Sequence, residues 1–197
     1  MNINTIFDPD NVVWAFLLKL YYLAFAGLLW FLASLPIITI GAATVSLYSY
    51  CFNVLEGNEG YVVRTFFSTF KRVFLQATIV FLIIAAGLAF LVFDAWFFLQ
   101  QIPMLFFVAI SLMLLVLVGT VHVFPLLSRK QHSLKTLIIS SCILGFRHLP
   151  VSITILVIAG LHTLSVYYAP VTIFFSAGLA CALSTMFIRS LYIRIGV

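Results

Sequence analysis

Three stretches of this chain, residues 73–93, 104–128 and 149–188, contain no Asp, Glu, Lys or Arg. A bilayer's hydrocarbon core is about 30 Å thick, so a helix needs about 20 apolar residues to cross it. The first two stretches each suit one crossing. The third is twice as long and suits two. Positive charge collects between them. Nine of the ten Lys and Arg lie in 64–72 (Arg64, Lys71, Arg72), in 129–147 (Arg129, Lys130, Lys135, Arg147) or near the C-terminal end (Arg189, Arg194). Only Lys19 falls elsewhere. Basic residues collect in the cytoplasmic turns of membrane proteins, so the pattern orients the chain as well as placing it in lipid.

Composition agrees. The chain is 64% hydrophobic and 8% charged, against about 25% charged for a soluble globular domain. Its 197 residues read as a single transmembrane domain, 1–197. The most polar segments, 56–72 and 128–136, are too short for a core of their own. The net charge of +5 is better explained by orientation and anionic headgroups than by nucleic acid. Residues 1–11 carry Asp8 and Asp10 and no basic residue, so a cleavable signal is not expected. Cys51, Cys142 and Cys181 are scattered without metal-ligand spacing and are expected to pack.

The expected architecture is all-α, an integral membrane helical bundle of about five spans with two amphipathic cytoplasmic helices. Span one covers Trp14–Ile40, and Pro36 and Gly41 break it. The piece 42–55 mixes Thr44, Ser46, Ser49 and Asn53 with apolar residues. It reads as too polar for a lipid-facing span and is expected to leave the membrane or lie on its surface, stopping at Gly57. Crossing by 37–55 is the six-span alternative. Segment 61–74 is the first amphipathic helix. Phe66, Phe67, Phe70 and Phe74 share one face by their three- and four-residue spacing, and Arg64, Ser68, Lys71 and Arg72 share the other. Such a helix is expected to lie in the interface plane.

Span two is expected at 73–93, ending at Asp94 with Trp96 at the outer interface. Pro103 opens span three and Pro125 closes it. Segment 131–147 is the second amphipathic helix, with Ser133 as N-cap. Its apolar face is read as Ile139, Cys142, Ile143 and Phe146. Spans four and five are 149–168 and 171–193, with the turn at Tyr167–Pro170. Five spans with the basic turns inside put the N-terminus outside and the C-terminus in the cytoplasm. A sixth would bring the N-terminus inside.

Ionisable groups deep in a membrane are functional candidates. His162 lies about 18 Å into its span at 1.5 Å per residue. It either takes a proton or substrate or bonds a neighbouring helix. His122 is expected to serve backbone freed by Pro125. No HExxH, GxSxG, paired carboxylates or phosphate loop is present, so no catalytic residue, metal or cofactor is expected, and no enzyme. A membrane enzyme on a lipid-linked sugar is disfavoured, because Asp94 is expected outside and His122, His132 and His148 inside. Small residues recur at Ala177, Cys181 and Thr185, at Gly178 and Ala182, and at Ala85 and Ala89. They allow close helix approach, mostly within the bundle.

The stretch Ser34-Leu35-Pro36-Ile37-Ile38-Thr39-Ile40-Gly41-Ala42-Ala43-Thr44 resembles the SLP..TIGPAT signature of the YesL family of small bacterial membrane proteins. Leu47-Tyr48, Gly57, Glu59-Gly60-Tyr61, Arg64, Phe66-Phe67, Phe70-Lys71, Phe74 and Gln76-Ala77-Thr78 continue it. Phe124–Leu127, Arg129, Ser133–Lys135 and Leu149-Pro150 echo its later half. Glu56 stands where the family usually has Arg, Asn58 replaces the first of two acids, and Ala42 replaces Pro. The family is of unknown function, and its members are typically encoded beside carbohydrate ABC importers. The resemblance therefore implies an accessory or assembly subunit of an oligosaccharide importer in the bacterial cell membrane. Its partners would be the lipid bilayer and the permease or ATPase subunits. The docking residues would be Glu56, Glu59, Tyr61, Arg64, Phe66, Phe67, Phe70, Lys71 and Arg72. The alternative is a small self-contained transporter with a polar path near His162.

Overall fold

The computed structural model describes residues 12–58, 60–129 and 133–195. Every regular element among them is helical. The helices are α1 (Val12–Ser34), α2 (Ile40–Leu55), α3 (Val62–Gln101), α4 (Pro103–Thr120), α5 (Val123–Arg129), α6 (Leu134–Arg147), α7 (Leu149–Tyr168) and α8 (Ile173–Ile195). Six segments are long and apolar enough to cross a bilayer: Val13–Ser34, Ile37–Leu55, Val62–Gln101, Met104–Arg129, Leu149–Tyr168 and Pro170–Ile193.

The punctuation falls where the chain's prolines and glycines put it. Pro36 separates α1 from a 3-10 turn at Ile37–Thr39, which leads directly into α2. Gly57 stops α2 with φ +79°, a left-handed backbone that glycine takes without a Cβ clash. Pro103 sits in the first turn of α4 and Pro150 in that of α7, where their missing N–H has no intrahelical role. Pro125 cannot donate to the Val121 carbonyl, and the α4–α5 break falls at Val121–His122. Ser133 caps α6 by accepting from the Thr136 N–H at 3.3 Å.

The segment 37–55 corrects the sequence expectation. It is no surface extension but the centre of the bundle. Ten of the sixteen residues of α2 are buried, and α1, α3, α5 and α8 all pack against it. Its polar residues meet protein rather than lipid. Thr44 accepts from the Trp30 indole N–H at 3.1 Å, Ser49 bonds Thr69 at 3.2 Å, and Ser46 donates to the Ala42 carbonyl at 2.8 Å. A helix enclosed by other helices does not need a uniformly apolar surface.

Segments 61–74 and 73–93 are likewise not separate. Both belong to α3, whose 40 residues make about 60 Å of helix. Val62, Phe66, Thr69, Val73, Ala77 and Val80 form its buried edge, at the spacing of one helical face. This edge lies along α2. Beyond residue 80 the only residue of α3 buried is Ala95. Asp94 does not end the helix, which runs through Trp96 to Gln101.

Close backbone contacts set the helix directions. Phe31 meets Phe174 with ring centroids 5.0 Å apart. One and two turns nearer the start of α1, Gly27 and Leu23 meet Gly178. The two helices are therefore antiparallel. A Cβ on Gly27 would lie 2.8 Å from the Phe174 carbonyl oxygen, and one on Gly178 would overlap the Leu23 carbonyl. Gly41, expected as a breaker, instead lies inside α2 and presses on the Ala77 backbone. The start of α1 and the end of α8 consequently share one end of the bundle. Five spans would have put them at opposite ends. The small stripe of α8 is used internally, with Ala177, Cys181, Ala182 and Thr185 all buried.

Helix α6 also turns out differently. Leu137, Ser141, Leu144 and Gly145 form its buried face. Ser141 Oγ donates to the Gly119 carbonyl at 2.8 Å, and Gly145 packs on the Val118 backbone. Ile139, Ile143 and Phe146, read as its apolar face, are exposed, and Cys142 is half-buried. The protein contact is made by the small residues Ser141 and Gly145 instead, which allow close helix approach.

Candidate docking surface and intramembrane polar groups

The end of α2 and the residue after it are held by two other helices. Glu56 follows the last residue of α2 and pairs with Arg129 at the end of α5. The Arg129 guanidinium also lies 4.7 Å from the Phe52 ring centroid, within cation–π range. Arg189 on α8 donates to the Leu55 carbonyl at 2.9 Å, one of the carbonyls left open where a helix ends. Three elements distant in sequence thus meet at the end of α2. In the sequence, Arg129 and Arg189 stand out as orientation signals. Nothing local in the chain announces their partners.

The expected docking residues separate into two groups. Tyr61, Arg64, Phe67, Lys71 and Arg72 are exposed, together with Ser68. They line the outward side of the first three turns of α3. Phe66 is not available: its side chain is fully buried in the core with Tyr50, Val54 and Val62. Phe70 is half-buried, stacked on Phe66 at 6.4 Å and edge-on to Phe67 at 6.2 Å. The phenylalanine face is therefore the anchor of α3 at its inner edge and is exposed only at Phe67 and Phe74. Glu56 already has Arg129 as its counter-ion. Glu59, Lys130, His132 and residues 1–11 lie outside the described residues.

The two intramembrane histidines each reach another helix. His122 is fully buried at the α4–α5 break, and its Nε2 lies 3.0 Å from Ser152 Oγ on α7. Ser152 Oγ in turn donates to the Gly145 carbonyl at 2.9 Å. His122 therefore ties the break to α7 instead of satisfying local backbone, as expected from Pro125. His162 Nδ1 lies 2.9 Å from Ser176 Oγ on α8, which is the neighbouring-helix role. Its ring stands edge-on to Trp30 with centroids 6.3 Å apart. A cavity of about 160 Å³ opens beside it, between α1, α2, α7 and α8. Among the described residues no three His, Cys, Asp or Glu gather as a metal site.

Residues 23–95 match the family described as "Protein of unknown function, DUF624". The matched segment holds most of α1, all of α2 and α3 through Ala95, with the end of α2 that Arg129 and Arg189 secure. No curated protein and no solved structure matches the chain.

Proposed function

We propose that this chain is a YesL-type accessory subunit of a carbohydrate ABC importer, without enzymatic activity, working through the outward side of early α3. The observation that carries the reading is the exposed row Tyr61, Arg64, Phe67, Lys71 and Arg72. It mixes cations with aromatic surface, a composition suited to a partner with an acidic rim. The row lies within residues 23–95, the segment that matches the family of unknown function. In the cell membrane the basic end faces the cytoplasm. With six crossings, the start of α1 lies there together with the end of α8.

The self-contained transporter is the second reading, favoured by the cavity beside His162. The lining of that cavity weighs against a sugar cargo. Half of its residues are aliphatic, Leu47, Ile155, Ile158 and three alanines, and none is charged. Each buried sugar hydroxyl left without a partner would cost about 1–3 kcal/mol.

The test is purification of the tagged chain from native membranes in mild detergent. Permease and ATPase subunits of a sugar importer are expected to co-purify in fixed ratio. The double change Arg64→Glu with Lys71→Glu is expected to lower that recovery about tenfold, the effect of roughly 1.4 kcal/mol. Recovery of the chain alone from cells making the importer would overturn the reading.

A further inference from the structure

We infer that the cavity beside His162 is a binding site for a small, neutral, lipid-soluble alcohol of phenol size, reached through the bilayer. Three observations carry this. The first is size. Its volume is about 160 Å³, and an apolar cavity of about 150 Å³ accepts benzene. The second is chemistry. The lining holds no charged side chain, and half of its residues are aliphatic. Most of its polar groups are already engaged, the Tyr48 hydroxyl with Ser184 among them. The Trp30 N–H is given to Thr44 Oγ1, and the Ser184 hydroxyl is given to the Ala180 carbonyl. His162 is the exception. Nδ1 is taken by Ser176, and Nε2 has no partner among the described residues. One side of the cavity thus offers an unengaged ring nitrogen, beside the engaged hydroxyls of Thr44, Tyr48 and Ser184. The third is access. Ile158, Ala159 and His162 lie in the middle third of α7, and Ala159 is exposed. The exposed part of the lining therefore lies at mid-helix, the depth of the acyl chains if α7 crosses the bilayer.

These features select the ligand class. An ion cannot reach a mid-membrane opening cheaply, and the cavity has no counter-charge. A polyol would leave hydroxyls without partners. A purely apolar guest would fill the volume and leave Nε2 unused. An alcohol with one ring or a short alkyl body satisfies both parts of the site.

The experiment uses the full chain in nanodiscs, with 4-fluorophenol and fluorobenzene as probes followed by fluorine NMR against empty nanodiscs. A saturable, protein-dependent shift is expected for 4-fluorophenol. Its affinity should exceed that of fluorobenzene about five- to tenfold, the worth of one hydrogen bond. His162→Leu is expected to erase that preference while fluorobenzene still binds. Ala180→Leu, which fills the cavity, is expected to remove both. Ala86→Leu, on the exposed side of α3, should change nothing. Absence of saturable binding to the unaltered chain would overturn the inference. So would equal affinity for the two probes unaffected by His162→Leu, which would make the cavity a slot for an acyl chain only. If Ala180→Leu does not fold, the His162→Leu comparison decides.

Discussion

Arg129 pairs with Glu56 across 73 residues of sequence while its guanidinium lies against the face of Phe52. Two contacts of different kind converge on one cation, and through it α5 is fastened to the C-terminal end of α2. Both charged side chains are about 30% exposed, so the pair is partly screened.

The pair should therefore be worth little and the cation more. Glu56→Gln is expected to cost under about 1 kcal/mol, the range of exposed ion pairs. Arg129→Ala also loses the ring contact, adding about 0.5–1 kcal/mol. Glu56→Arg opposes two guanidiniums and should lower Tm further, with Arg129→Glu in the same chain restoring it. Thermal unfolding in detergent, run as a double-mutant cycle, measures each term. A Glu56→Arg chain as stable as the parent would show that the pair contributes nothing.

Gly178 should tolerate no side chain, because its Cβ would overlap the Leu23 carbonyl and neither backbone can rotate away. Gly178→Ala is expected to destabilise by about 1–3 kcal/mol or more, as overpacking does. Gly87 has open space around its Cβ position. Gly87→Ala is expected to be neutral or stabilising by up to about 1 kcal/mol, since alanine is the better helix former. The contrast in Tm between two identical substitutions isolates the α1–α8 contact.

Ser152 serves both His122 and the Gly145 carbonyl. Ser152→Ala removes a small hydroxyl and leaves two buried polar groups without it. The expected loss is about 1–3 kcal/mol. Thr154→Ala, whose hydroxyl bonds only the Pro150 carbonyl on an exposed face, should cost far less. Equal effects in chemical unfolding would mean that His122 is not anchored through Ser152.

The antiparallel pairing of α1 with α8 makes a topological prediction. In a background lacking Cys51, Cys142 and Cys181, single cysteines at Val13 and Tyr61 should react with a membrane-impermeant maleimide from the same side. One at Tyr168 should react from the other. Labelling of Val13 together with Tyr168 would restore the five-span arrangement.

The chain's own residues determined a great deal about this protein. The uncharged runs demanded helices in lipid, and Pro36, Gly57, Pro103 and Pro150 placed their ends. Helix α7 occupies the expected 149–168, because a lipid-facing helix must be apolar along its length and that is readable locally. The exposed cations Arg64, Lys71 and Arg72 were legible for a similar reason: a charge avoids the core wherever the chain goes.

Only the tertiary structure decided what lies between helices. Thr44 and Ser49 made α2 look unfit for the membrane until Trp30 and Thr69 were seen beside them. Phe66 looked like a partner contact until α2 covered it. Glu56 looked available until Arg129 arrived from 73 residues away. In each case the deciding quantity is whether a side chain meets lipid, water or another helix. Helical spacing groups residues by face, but the neighbour of that face is supplied by distant chain.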